Sequence, residues 1–582
     1  MAHEARPEGS ALVLFGGEAP KQNPQWWRQF TTLVAPEALA PVATEHALAF
    51  EPLEGLVDPG NIQEATAFLG EVATATHPGG TRVSESVTYQ GYELWWAHYD
   101  QLYLQQCLPY TQYRRLLEHL TRFSAITLSH PPAEALFRLF LEAHGCQYSI
   151  QGNLKRFPPI GVWLQLGISL LSLPVLMLTR PKIMLYTGDL FEPPHDYSFR
   201  MRLIYEELRG RNLPFVEFIR SLEPTRTMLA HAWRRRRPVI YSYAIKVVLL
   251  WAAGLGRRTH TLPPASASPE QAFKLALASM YCANPRGARW SIRVMSLLLR
   301  LMGIRAALIP AASNRTFHEV LGCRLTGVPT LGILHGAASR YYNVYDFIPE
   351  YRGAKRISLD RYGLWSQGWK DYYLKNSHVY GPDQLQVSGP MRPLRDTQVG
   401  THASPGAREG APIKVLLVPG ELSAPQEILP YVHALLADTA IALYLTFRPY
   451  RDAFETWLLA HDPELMERIG PGRIFRGRRI QEDIAACDVV VGTYSTAVLE
   501  ALLQLKPLAF FNTGKWGDYF DLKEYPSSHA YFAENPRELI ACIKKSRDIP
   551  IEELQSLQER FFGDPYKNGS AWVVDELEKH LS

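Results

Sequence analysis

From residue 182 onward, short apolar runs alternate with amphipathic stretches. Runs at 183–186, 215–219, 306–309, 330–334, 362–365 and 385–387 have strand length. Segments 197–208, 290–302 and 318–325 instead repeat apolar positions at helical spacing. Strands alternating with helices predict a parallel, doubly wound sheet. Residues 395–412 are polar, rich in Gly, Pro and Ala, and free of periodicity, which reads as a linker. After them the rhythm restarts, with strands at 415–418, 442–446, 474–475, 489–491 and 508–511 and helices at 426–436, 454–459, 480–486 and 497–505. The expected fold class is α/β, with two Rossmann-like doubly wound domains at 182–394 and 413–582. A cleft is expected between the carboxyl ends of their strands.

Residues 1–155 read as a mixed α/β region of open role. A strand at 11–15 precedes loop-rich sequence and an aromatic helical stretch at 92–108. Strand 124–128, helix 133–143 and strand 146–150 follow. The aromatics at helical spacing read as core. Residues 260–287 read as a loop-rich insertion. Residues 161–178 carry no charge and are flanked by Lys155, Arg156, Arg180 and Lys182, so 156–181 is set apart as an apolar segment. Eighteen uncharged, mostly apolar positions just reach the length of a membrane span. Pro174 and Gln165 favour a hairpin at a membrane surface or a partner, ahead of a core helix and of a true span.

The chain has 582 residues, 47% hydrophobic and 20% charged, an ordinary globular balance. Its 61 basic and 57 acidic residues leave a charge of +4, which argues against a nucleic-acid footprint over the whole chain. The run Arg234 to Arg237 reads as a solvated helix end, with an anionic surface as the alternative. Six cysteines without a CxxC pair argue against structural zinc and a disulfide framework. With no export signal evident, the expected place is the cytoplasm, peripheral to the inner membrane face.

One stretch carries most of the chemistry. Residues 487–501 (CDVVVGTYSTAVLEA) read as a buried strand, a hydroxyl-rich turn and the start of a helix capped by Ser495 or Thr496. Unpaired N–H groups at such a helix start suit a phosphate, and Glu500 lies one turn in. Residues 327–336 (GVPTLGILHG) place His335 and Gly336 after another strand, followed by 362–366 (YGLWS) and 386–392 (QVSGPMR). This ordered series, over roughly 315–520, resembles GT-B-fold glycosyltransferases of bacterial surface carbohydrates. The likeness is to the group of CDP-glycerol glycerophosphotransferases and capsule, Kdo and polysialic acid transferases. Leu334 stands where that group has Gln, Ser388 and Pro390 where it has Thr and Asn, and Leu505 where it has Gly before Lys506-Pro507.

The resemblance implies a donor site at Thr493, Tyr494, Ser495, Thr496 and Glu500, with Gly420, Ser366 and Gly389 alongside. It makes His335 the general base, since an imidazole titrates near neutral pH. Arg448, ending a strand, would neutralise the leaving phosphate. On the acceptor side stand Gly336 and Arg200, the latter in a loop cluster with Asp189, His195 and Asp196. The implied reaction moves a sugar or polyol phosphate from a nucleotide-activated donor to a glycan or lipid-linked acceptor, without cofactor or metal. A UDP-sugar 2-epimerase and a non-catalytic nucleotide- or glycan-binding scaffold are the alternatives.

Overall fold

The computed structural model describes residues 8–581 apart from 21, 152–156, 189–197, 199–200, 255–267, 281, 283–284, 312–314, 342–346, 352–355, 395–410, 421–422, 449–451 and 477–479. Arg200, Asp189, His195, Asp196, Glu421, Tyr450 and most of the 395–412 linker therefore lie outside the described residues.

The first unit is more regular than its sequence predicts. Strands β1 (Glu8–Leu14), β2 (Thr32–Ala35), β3 (Ala49–Pro52), β4 (Phe123–Ser129) and β5 (Tyr148–Gln151) form one sheet in the order β3-β2-β1-β4-β5. Every pairing in it is parallel. This is a Rossmann-like order, in a region expected to be mixed. The aromatic stretch 92–108 is not one helix. It runs through a tight turn Leu94–His98, an α turn Tyr99–Leu102 and a π turn Tyr103–Cys107. Trp95, Trp96, Tyr99 and Tyr103 are buried, so these rings do build core.

The second unit contains β6 (Ile183–Gly188), β7 (Phe215–Arg220), β8 (Ala306–Leu308), β9 (Thr330–Ile333), β10 (Arg361–Leu364) and β11 (Leu385–Val387), in the order β7-β6-β8-β9-β10-β11. The third contains β12 (Ile413–Val418), β13 (Ile441–Phe447), β14 (Ile474–Arg476), β15 (Val489–Gly492), β16 (Leu508–Phe511) and β17 (Phe532–Ala533), in the order β14-β13-β12-β15-β16-β17. Both sheets are parallel throughout, and their strands are apolar on both faces because helices cover each side. Strand order reverses between β6 and β8 in one sheet and between β12 and β15 in the other. Ligands of open α/β sheets lie at the carboxyl ends of the strands at such points.

Three segments depart from their sequence reading. Part of the 260–287 insertion is a helix, Pro269–Ser279, capped by Ser268, and its Phe273 and Leu277 join the core of the first unit. The closing helix Gly569–Glu578 follows the third unit in sequence, yet Val573, Val574 and Leu577 pack with Ile183, Leu185 and Ile333 of the second sheet. The apolar segment is a single helix, Ile160–Thr179, not a hairpin. Pro174 removes one backbone donor without ending it.

That helix is not core either. Only 22% of its most apolar stretch is buried. Its inward residues are Gln165, Ser169, Ser172 and Leu176, three of them polar. The Ser169 and Ser172 hydroxyls accept the N–H groups of Tyr241 and Val239 at 2.9 and 3.2 Å. Leu170, Leu171 and Leu178 face outward, the last 86% exposed. This polarity is the reverse of a water-facing helix.

Candidate functional site

The carboxyl edges of the second and third sheets meet. After β9 the chain passes through His335, which is exposed, and the N–H of Ala337 donates to Thr496 Oγ1 at 2.9 Å. A Cβ on Gly336 would sit 3.5 Å from that oxygen, in van der Waals contact with it. One step further, Arg340 pairs with Asp521 at 2.9 Å, and the Tyr341 hydroxyl donates to the same carboxylate at 2.9 Å. His335-Gly336 and the 493–496 turn, remote in sequence, thus border one cleft.

At the third sheet's switch point β15 ends in Gly492, and Thr493 turns into the crevice beside Gly420, which follows β12. Their packing is close: a Cβ on Gly420 would lie 2.0 Å from Thr493 Oγ1 and 2.9 Å from the Tyr494 ring. Thr493 is buried, and its hydroxyl has no hydrogen-bond partner. The Tyr494 ring stacks on Trp516 with centroids 3.8 Å apart. Ser495 is the helix cap, its hydroxyl accepting the N–H of Ala497 at 3.3 Å.

The helix expected over 497–505 is shorter than its sequence suggests. One α turn, Thr496–Leu499, tightens into a 3₁₀ segment, Glu500–Gln504. Leu505 then takes the left-handed conformation at φ 52°, the position where the resembling group has glycine. So short a helix carries little macrodipole. An anion placed at this turn would meet its individual N–H and hydroxyl groups rather than a helix dipole.

Glu500 is half-buried and accepts from Gln481 Nε2 at 2.9 Å. Burial pushes its carboxyl above the usual range, while Arg392 opposite, from the 386–392 stretch of the second unit, draws it down. Arg448 is exposed at the end of β13, one strand from Gly420 on the same edge. Its N–H donates to Asp452, which caps the next helix.

Ser366 and Gly389 serve packing rather than the crevice. The Ser366 hydroxyl caps the helix Gln367–Asn376 and donates to the Arg560 carbonyl at 2.5 Å. Gly389, at φ 83°, lies so close to Lys567 that a Cβ would sit 2.7 Å from it.

Four residues that sequence reasoning missed, Ser423, Glu427, Thr513 and Trp516, flank the crevice. Trp516 Nε1 and Glu427 Oε1 are buried without a hydrogen-bond partner, as is the Thr493 hydroxyl. Ser423 Oγ stands 3.4 Å from Thr513 Oγ1. Buried polar atoms are ordinarily paired, so several orphans around one crevice mark a place for a polar ligand. Nothing in the periodicity of 423–427 or 513–516 signals this. Only the end of β16, leading into Thr513, hinted at it.

No family model and no curated protein matches the chain. Among solved structures, a glycosyltransferase of Rickettsia africae ESF-5 aligns at 11% identity over 69% of this chain and 98% of its own, with a TM-score of 0.38. MurG of Acinetobacter baumannii aligns at 11% over 68% and 99%, TM-score 0.39. A UDP-GlcNAc 2-epimerase of Neisseria meningitidis bound to UDP-GlcNAc aligns at 13% over 68% and 99%, TM-score 0.38. Scores of this size assign neither activity nor ligand. The architecture rests on the sheets themselves: two doubly wound Rossmann-like units meet at their carboxyl edges, as a GT-B arrangement requires, and a third such sheet precedes them.

Proposed function

We propose that the chain transfers a sugar or polyol phosphate from a nucleotide-activated donor to a glycan or lipid-linked acceptor, in the cleft between the second and third units. The observation that carries this reading is the 2.9 Å hydrogen bond from Ala337 to Thr496, which brings the His335 loop against the hydroxyl turn. Donor phosphates would sit on the N–H and hydroxyl groups of 493–496, with Gly420 giving close approach and Glu500 facing the ribose. His335 removes the proton of the acceptor hydroxyl as its oxygen attacks, and Arg448 neutralises charge on the departing phosphate. The scheme needs no metal at the phosphates.

The outward apolar helix supports a membrane-bound acceptor. Exposed Trp233, Arg234 and Arg236 at the end of the helix Thr225–Arg235 give a basic, aromatic surface of the kind that lies at a lipid headgroup layer, while Arg235 turns inward to Glu217.

The test pairs a nucleotide panel with turnover. UDP, CDP, GDP or CMP should raise the melting temperature of the wild type by mass action. Replacing His335 by Ala should lower transfer about 10²- to 10⁴-fold and leave nucleotide binding intact. Undiminished turnover in that variant removes the base assignment. Turnover without acceptor, yielding an isomerised sugar, replaces transfer by epimerisation.

A further inference from the structure

The switch point of the second sheet, between β6 and β8, has no part in the scheme above, yet it is surrounded by charge. Tyr186 comes from β6, Arg220 ends β7, and Lys246 comes from the helix Ser242–Gly254. Arg315 follows β8, and His318 and Glu319 stand in the first turn of the helix Phe317–Thr326. The first unit contributes Asp100.

These groups touch. Arg315 Nε donates to Asp100 Oδ2 at 3.3 Å. Lys246 Nζ and the Tyr186 hydroxyl both donate to the Arg315 carbonyl, at 3.1 and 3.4 Å. The Arg220 guanidinium and the Lys246 amine lie 5.5 and 5.9 Å from the Tyr243 ring centre. Lys246 faces Glu319, Arg220, Asp100 and Arg315 together. Three cations against two carboxylates leave one positive charge in excess within this cluster among the described residues.

The second observation is independent of charge. Glu319 is 1% exposed and its Oε2 has no hydrogen-bond partner. His318 is 2% exposed with neither ring nitrogen paired, and Arg220 Nε is buried without a partner. An unmet donor or acceptor in the interior forfeits the hydrogen bond it had with water. Four such atoms at one switch point are the pattern of a built ligand site. Burial holds the His318 imidazole well below its usual range and therefore neutral, able both to donate and to accept.

We propose that this cluster binds the anionic group of a polyhydroxylated ligand, with Lys246, Arg220 and Arg315 taking a phosphate or carboxylate and Glu319 and His318 taking neighbouring hydroxyls. His335 ends β9, two strand spacings from β6, or roughly 10 Å. Only the identification of the ligand as the acceptor rests on the proposed transferase reading; anion binding does not. The helix that supplies Lys246 also packs on the apolar helix, Trp251 meeting Trp163 edge-on at 5.6 Å. An acceptor phosphate close to a lipid would thus reach the cluster.

Calorimetric titration of the full chain with glucose 6-phosphate, glucuronate and glucose tests this. One charged sugar should bind with a dissociation constant below about 1 mM, and glucose at least about tenfold more weakly. Preference for glucose 6-phosphate assigns a phosphate ligand, and preference for glucuronate a carboxylate. Lys246→Met and Arg220→Gln should each weaken the charged sugar about tenfold or more, with UDP binding unchanged. Should Lys246→Met fail to fold, Arg220→Gln carries the comparison. Equal binding of glucose and its charged counterparts, or full anion affinity in both variants, overturns the proposal. A wild type that binds none of UDP, CDP, GDP and CMP but does bind the charged sugar overturns the donor reading and leaves the anion site standing.

Discussion

Around the switch point of the third sheet the polar groups pressed against Gly420 are the neutral Thr493 and Ser423 hydroxyls, with the Glu427 and Glu500 carboxylates at the margin. Around that of the second sheet they are ionisable side chains drawn from helices, loops and the first unit. The two edges share a parallel topology but differ in how they answer an anion. Neutral N–H and hydroxyl groups select by close fit, and their contacts cost little when solvent is removed. Half-buried cations select by sign, and the hydration they lose must be offset by what they bind.

The sharpest way to break this contrast is Gly420→Val. Its Cβ would collide with the Thr493 hydroxyl, so nucleotide binding should fall below detection in calorimetry. Urea denaturation should show a loss of about 1–3 kcal/mol from overpacking. Retained nucleotide affinity would remove the close-fit description of this edge.

Thr496→Val comes next. It deletes the acceptor of the Ala337 N–H, and stability should drop by about 1–2 kcal/mol, with KM for the donor rising more than kcat changes. A variant that loses neither stability nor donor affinity would show that the junction of the two units is incidental.

Glu500→Gln sharpens the comparison through pH. Burial raises the Glu500 carboxyl in the folded state, so folding favours its protonated form. The stability this lends is complete below the unfolded value near 4.5 and is lost as pH rises through the higher folded value. Between pH 4 and about 7 the wild type should therefore lose stability relative to the glutamine variant. A parallel pair of stability curves would mean that Arg392 and Gln481 fully compensate the burial.

The smallest effect is expected at Leu505→Gly. Glycine relieves the left-handed backbone, worth about 1 kcal/mol. The half-buried leucine side chain it removes contributes a similar amount, so denaturation should move by less than about 1 kcal/mol.

Much of the fold is written in the apolar runs. β6 to β16 fall where those runs predict, because strands covered by helices on both faces must be continuously apolar. β3 escaped detection for a local reason: it is an edge strand with no buried side chain. The helix after Thr496 was overextended because its apolar spacing continues past Glu500 although its backbone tightens there. Gly420, Thr493 and His335 were legible because position at a strand end places a residue on the cleft whatever its neighbours do. The cluster of Asp100, Arg220, Lys246, Arg315 and Glu319 was not. Each reads singly as a solvated charge, and only tertiary packing removes the water.

The helix Gly569–Glu578 carries a consequence for motion. The backbone passes between the second and third units once at the 395–412 segment and again when the terminal helix returns to the second sheet. A fluorophore attached near Leu581 therefore rides with the second unit, although its point of attachment follows the third in sequence.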